Sequence, residues 1–203
     1  MKTIEIREAL SDRGFFQMKH PCEYTDFLAT ANVLGTVFAT ADVKIHAKSH
    51  SMVSTPSSVP FHNDDPRARY IGWFCVEQDE HSGESQYIDS RRALKRLNES
   101  DLHLLEETFV KCPGTDGVVS KHPVLFKREG ERQGFYFAPW LVEESDKSTT
   151  ALLNLTTALR QTARVKIRLR PGEMIFIDNH RLLHGRDALD TSSNRYLKRA
   201  WIL

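Results

Sequence analysis

Short apolar runs broken by turn residues dominate the chain. The stretch from Arg69 to Glu77 is apolar at nearly every position and predicts a fully buried strand. Met174 to Ile177 predicts another, led in by a Pro171-Gly-Glu turn. Gly14 to Met18, Thr36 to Phe38, Asp42 to Ile45, Pro123 to Phe126 and Gly134 to Trp140 also read as strands. Ser85 to Asp89 and Val165 to Arg170 alternate, as half-buried strands do. Period-3.6 patterning predicts a helix through Phe27, Leu28, Ala31 and Leu34, capped by Thr25 or Asp26 and ended by Gly35. Further helices are expected over Ser90 to Leu97, over Asp101 to Val110 with Ser100 as cap, and from Ser148 with Leu152, Leu153, Leu155 and Leu159 along one side. Residues 1–20 otherwise mix charges with short apolar pairs.

Many short strands with a few flanking helices predict a mainly β architecture, closed or double-sheeted, of the jelly-roll kind. A doubly wound α/β sheet would need regular strand–helix alternation and usually a Gly-rich phosphate loop, and neither is present. The 203 residues fit one domain spanning 1–203. With 28 basic and 27 acidic residues the net charge is +1, which gives no case for nucleic acid or an anionic membrane as partner. Cys22, Cys75 and Cys112 lack Cys-x-x-Cys spacing, so reduced thiols are expected rather than a disulfide framework or a zinc finger. No signal-like leader or run of about 20 apolar residues is visible, and a soluble, cytoplasmic protein is expected.

Candidate chemistry begins at His62-x-Asp64. In extended chain, residues i and i+2 point the same way and can grip one ion. Alone, the pair reads equally as a polar turn, since Asn63, Asp65 and Pro66 are turn residues. The strand at Met174 adds Asp178-Asn179, expected at its solvent edge, followed by His184 behind Leu182 and Leu183. Two imidazoles and one carboxylate leave three positions open on a six-coordinate metal, as in non-haem Fe(II) oxygenases; a closed zinc site would want a fourth ligand. In the last strand Arg195, Leu197, Arg199 and Trp201 share a face. An inward Arg199 is costly unless an anion meets it, and a planar guanidinium suits the carboxylate of an oxo acid. A solvated edge strand accounts for these arginines too.

Together these pieces resemble the TauD/TfdA-type, clavaminate-synthase-like dioxygenases dependent on iron(II) and 2-oxoglutarate. The resemblance is carried, in order, by Val59-Pro-Phe-His-Asn-Asp64, Gly83 to Asp89, Pro171 to Asn179, Leu183-His-Gly-Arg186 and Arg195 to Trp201, and it runs from about residue 33 onward. It implies a double-stranded β-helix, a cupin-like barrel, with Fe(II) on His62, Asp64 and His184. It implies 2-oxoglutarate as co-substrate, its far carboxylate on Arg199 with Arg195 as helper and Ser85 where the family commonly has a Thr hydroxyl. O2 is the second co-substrate, and succinate and CO2 are released.

Related halogenases carry a small residue at the position of Asp64, so the carboxylate favours oxygen transfer. His180 stands where the family commonly has an arginine. The expected reaction is hydroxylation of an unactivated C–H bond in a small molecule, an amino acid or natural-product intermediate. The same cofactors also serve desaturation, cyclisation, epimerisation, or modification of a protein or a carrier-tethered substrate. A barrel binding small acids without turnover is the remote alternative. Substrate contacts are expected from Lys48 to Pro60, from Arg67 and Arg69 and from Tyr136 to Trp140, although Tyr136 and Trp140 read rather as core. His46, His50 and His81 are candidates for the mouth of the site. The chain is short for the family, which predicts an open site, one suited to a large substrate or completed by a partner.

Overall fold

The computed structural model describes residues 3–45, 52–113, 118–128, 133–143, 145 and 148–203. In chain order the first elements are helix α1 (Thr3–Arg13), strand β1 (Phe15–Met18), helix α2 (Tyr24–Leu34) and strands β2 (Val37–Lys44), β3 (Val59–His62), β4 (Tyr70–Glu77) and β5 (Ser85–Asp89). Helices α3 (Ser90–Leu94) and α4 (Glu99–Glu106) precede two hairpins, β6 (Phe109–Pro113) with β7 (Val119–Pro123) and β8 (Leu125–Lys127) with β9 (Gln133–Phe135). Helix α5 (Thr149–Gln161) leads to β10 (Arg164–Ile167), β11 (Met174–Asp178), β12 (Leu182–Arg186) and β13 (Tyr196–Ile202).

Two sheets face each other: a five-stranded one ordered β1-β11-β4-β13-β2 and a four-stranded one ordered β10-β5-β12-β3. The non-sequential neighbours are antiparallel, as in a jelly roll. The sheets form a two-layered sandwich, and the expected mainly β, cupin-like class holds. Trp73, Ile175, Ile177, Tyr87, Leu182 and Leu197 fill the space between them. On the outer face of the larger sheet, Phe27 of α2 and Ile6 and Leu10 of α1 pack on Phe74, Phe176 and Ile202. Helices α3 to α5 and the hairpins share a further core around Leu105, Leu125, Phe135 and Leu155.

Several expectations shift. Helix α1 has only Ile6 and Leu10 as buried anchors among charges, one turn apart, and it emerges where none was read. Helix α2 is capped by Glu23, whose side chain and that of Asp26 bond each other's backbone, rather than by Thr25 or Asp26. Asn98, not Ser100, caps α4, accepting from Asp101 N at 2.8 Å. That helix stops at Glu106, because Thr108 turns its hydroxyl back on Leu104 O and Phe109 enters a strand. Thr36 to Phe38 and Asp42 to Ile45 belong to one strand, β2, not two. Leu153 is 64% exposed while Leu152, Leu155 and Leu159 are buried.

Candidate metal centre

Strand register brings the candidate ligands together. His184 of β12 lies directly opposite His62 of β3, and their rings are 4.3 Å apart. The pairing slips between His184 and Arg186, where β3 carries an extra residue. Gly185 permits this close passage, because a Cβ there would sit 2.8 Å from Val59 O. Asp64 follows on the chain leaving β3, with Oδ1 3.5 Å from His62 Nε2 and 3.7 Å from His184 Nε2. All three donor groups lie within 4.8 Å of one another.

The donors fit a divalent metal. His62 Nδ1 lies 2.8 Å from Pro60 O; a carbonyl only accepts, so Nδ1 is the donor and Nε2 keeps its lone pair for a ligand bond. Burial, then the neighbouring His62, pushes the His184 pKa down to about 3, leaving a neutral ring. Burial would raise the Asp64 pKa, but Arg199 with His184 and His62 outweighs it and holds the carboxyl ionised, well below the usual range. Two imidazoles, one carboxylate and no thiolate match a non-haem Fe(II) site better than a closed zinc site.

The loop bearing Asp64 is locked by two asparagines that sequence patterning places at a turn and at a solvent edge. Asn179 is fully buried: its Oδ1 accepts from Asp64 N at 3.0 Å and its Nδ2 donates to Ala68 O at 2.9 Å. Asn63 points away from the metal side, donating to Leu182 O at 3.1 Å and accepting from Phe137 N at 3.0 Å. Asp178 is likewise buried, paired with Arg128 at 3.1 Å. His180 has a structural job. Its Nε2 bonds Pro66 O at 2.7 Å and its ring stands edge-on to Phe126, tying the far end of the same loop. An asparagine between two ligands, side chain reversed by the strand pleat, was the available signal for Asn63.

Between the sheets, beside the two histidines, lies a half-open cavity. Its described lining carries Arg186, Arg195 and Arg199 with Ser85 and Tyr87, and no acid. Val53 and Val59 also line it, so the described part of the Lys48 to Pro60 segment does border the site. The two expected arginines divide their work differently from the expectation. Arg199 Nη1 sits on Asp64, 3.0 Å from Oδ2, with its guanidinium 4.0 Å from the Trp201 ring. Arg195 Nη2 instead donates to Ser85 Oγ at 3.2 Å. Burial, followed by repulsion from Arg186, brings the Arg195 pKa down to about 10. Gly83, at φ 67°, makes room for this arrangement, since a Cβ there would press on Leu189 and Arg195.

The remaining candidates fall elsewhere. Arg67 is exposed, 2.6 Å from Asp65 and over the Phe38 ring; Arg69 is exposed and lies over Tyr70. Neither lines the cavity. Tyr136 is core, as expected. Trp140 is not: it is 45% exposed, with its ring 5.1 Å from that of His62. His81 sits exposed in a turn, and His46 and His50 lie outside the described residues. No helix among the described residues is long and apolar enough to cross a membrane.

A jelly roll with a His–Asp–His centre opening onto an arginine-lined cavity defines the class as a non-haem metal oxygenase. The chain belongs to the TauD/TfdA family: the family described as "Taurine catabolism dioxygenase TauD, TfdA family" matches residues 4–201, and with it the protein is a 2-oxoglutarate-dependent oxygenase. It is 24% identical, over 83% of its length and 71% of the relative's, to a 3-((Z)-2-isocyanoethenyl)-1H-indole synthase of Fischerella ambigua (strain UTEX 1903). The fold is shared with asparagine oxygenase solved with Fe(II), 3-hydroxyasparagine and succinate (TM-score 0.84, 19% identity, 99% of this chain and 78% of that one). It is shared also with the oxygenase OrfP solved with Fe and α-ketoglutaric acid (TM-score 0.78, 17% identity, 98% and 79%) and with PvcB of Pseudomonas aeruginosa (TM-score 0.74, 17% identity, 100% and 80%).

Proposed function

We propose that the protein hydroxylates an unactivated C–H bond of a small molecule, an amino acid or a natural-product intermediate, using Fe(II), 2-oxoglutarate and O2. The observation that carries this reading is one cavity lined by both His62 and His184 and by three buried or half-buried arginines without an acid. His62, Asp64 and His184 would hold the iron. When bound, the iron with 2-oxoglutarate and O2 supplies an oxidant able to break an aliphatic C–H bond, with release of succinate and CO2.

The chain's own residues bind and orient. Arg195 with Ser85 is the better anchor for the far carboxylate of 2-oxoglutarate, because Arg199 is already engaged by Asp64. Arg199 Nη1 donates to both carboxylate oxygens of Asp64, the nearer being Oδ2 at 3.0 Å, while Oδ1 also faces the two imidazoles. Trp73, edge-on to His184 at 4.9 Å, and Tyr87 wall the cavity from the core. Trp140, on the exposed side of His62, offers an aromatic surface to the substrate. The amino-acid class is supported by the shared fold of asparagine oxygenase. Desaturation is the second reading, favoured by the ethenyl group in the name of the Fischerella relative's product. A carrier-tethered substrate uses the same chemistry.

Anaerobic addition of Fe(II) and 2-oxoglutarate should produce a weak visible charge-transfer band, and oxygen should then yield succinate, stimulated by one member of an amino-acid panel. A band of undiminished strength in His62→Ala would sink the metal assignment. Succinate without O2 uptake would sink the reaction class.

A further inference from the structure

One buried cation of the cavity is left over by this reading. Arg186 lies two residues beyond His184 on β12, so both side chains emerge on the same face, and its cross-strand neighbour on β5 is Ser85. It is 7% exposed. Its Nη2 donates to two carbonyls of the segment leading into β3, Thr55 O at 2.8 Å and Ser57 O at 2.7 Å. The intervening carbonyl, Pro56 O, accepts from Leu189 N at 2.7 Å. Three successive carbonyls of this segment are therefore held by β12 and the chain just after it, and the segment's Val53 and Val59 close one side of the cavity.

The other terminal nitrogen, Nη1, is buried without a hydrogen-bond partner among the described residues. A buried guanidinium N–H left unpaired is costly, and here a second guanidinium, Arg195, lies close enough to repel it. Both arginines line a cavity whose described lining has no carboxylate. An anionic oxygen beside Ser85 would relieve both.

We infer that Arg186 couples co-substrate binding to the seating of residues 53–59: Nη1 meets the far carboxylate of 2-oxoglutarate while Nη2 holds the segment against the cavity. The inference rests on the co-substrate reading above. It makes Arg186 a positioning residue. Without the anion, Nη1 stays unpaired while Nη2 alone holds the segment; with it, one planar fork grips ligand and segment at once. The segment is then held most firmly over the cavity when the co-substrate is in place, which protects the oxidant from water.

The test is amide hydrogen exchange of residues 53–59 in protein loaded with Mn(II), with and without 2-oxoglutarate, together with the Kd for 2-oxoglutarate by calorimetry. In the wild type, 2-oxoglutarate should slow exchange in this segment about tenfold or more, whereas Mn(II) alone should not. Arg186→Gln should bind Mn(II) within about twofold of wild type, raise the Kd for 2-oxoglutarate at least tenfold, and show no ligand-dependent slowing at saturation. A purely structural arginine would speed exchange equally with and without ligand, and that result would overturn the inference. So would wild-type exchange indifferent to saturating 2-oxoglutarate, or an unchanged Kd in Arg186→Gln. If that variant does not fold, Arg186→Lys, which keeps the charge and loses the fork, together with the wild-type measurement decides the matter. Wild-type protein that takes Mn(II) but no 2-oxoglutarate would refute the co-substrate reading itself, a result distinct from binding without segment protection.

Discussion

Asn179 offers the sharpest test of how the metal loop is held. Truncating it to alanine removes the acceptor for Asp64 N and the donor for Ala68 O, in a position with no solvent exposure. Each buried group left unpaired costs about 1–3 kcal/mol. Two such groups give about 2–6 kcal/mol, and the half-buried neighbours Asp64 to Pro66 would admit some water, so about 2–4 kcal/mol is expected. That is a large fraction of the ~5–15 kcal/mol typical of a domain.

The loss should have a second face. Asp64 would no longer be held at its backbone, and metal affinity should fall about 10- to 100-fold, as it does when outer partners of a ligand are removed. Asn179→Asp separates the two effects. It keeps the shape and the acceptor but loses the donor and sets a carboxylate against the carbonyls of Asp64, Asp65 and Ala68. It should be at least as damaging as alanine. Urea unfolding of the metal-free protein and Mn(II) titration by calorimetry measure the two quantities. An Asn179→Ala protein within 0.5 kcal/mol of wild type, with wild-type Mn(II) affinity, would refute the reasoning.

Two further predictions follow from the arginines and from one turn. Arg195→Ala should raise the 2-oxoglutarate requirement about 100-fold at near-normal metal affinity, whereas Arg199→Ala, which leaves Asp64 Oδ2 without its partner, should weaken Mn(II) binding as well; equal effects of the two on both ligands would refute the division of labour. Asp79 accepts from the backbone of His81 and Ser82, which pulls its pKa from 3.8 to about 2. A folded pKa below the unfolded one means stabilisation present above about pH 4 and lost as pH falls towards 2. Urea midpoints of wild type and Asp79→Asn should therefore differ at pH 6 and converge near pH 2, and a constant difference across that range would count against it.

The candidate metal ligands could be picked out of the chain because each sits in a local pattern. His62 and Asp64 are two residues apart, and His184 lies within a run of buried residues on its own strand. The face shared by Arg195, Leu197, Arg199 and Trp201 could be read for the same reason, since alternation fixes which residues point inward. What each arginine meets could not. Arg199 finds Asp64 because the chain leaving β3 folds back over β13, a meeting of residues 135 positions apart. Asn63 and Asn179 escape sequence patterning likewise: their residue types favour turns, and only distant carbonyls reveal that they are buried. Helix α1 was invisible because two apolar anchors among charges make no periodic pattern, and only packing on Phe176's sheet selects it.

The position of β3 gives the centre a further consequence. It is the edge strand of its sheet, joined to β12 at His62 and Val59 on either side of a slip, and Pro60 removes one donor from it. An ion bound across His62 and His184 would add a cross-link at the point where backbone pairing is thinnest, and ligation of the folded form alone raises its stability. Loss of iron and loosening of the sheet's margin are then one event. Iron starvation would present a peeling edge to neighbouring copies, so the metal-free enzyme should be the form prone to aggregate, and its lifetime should follow metal supply.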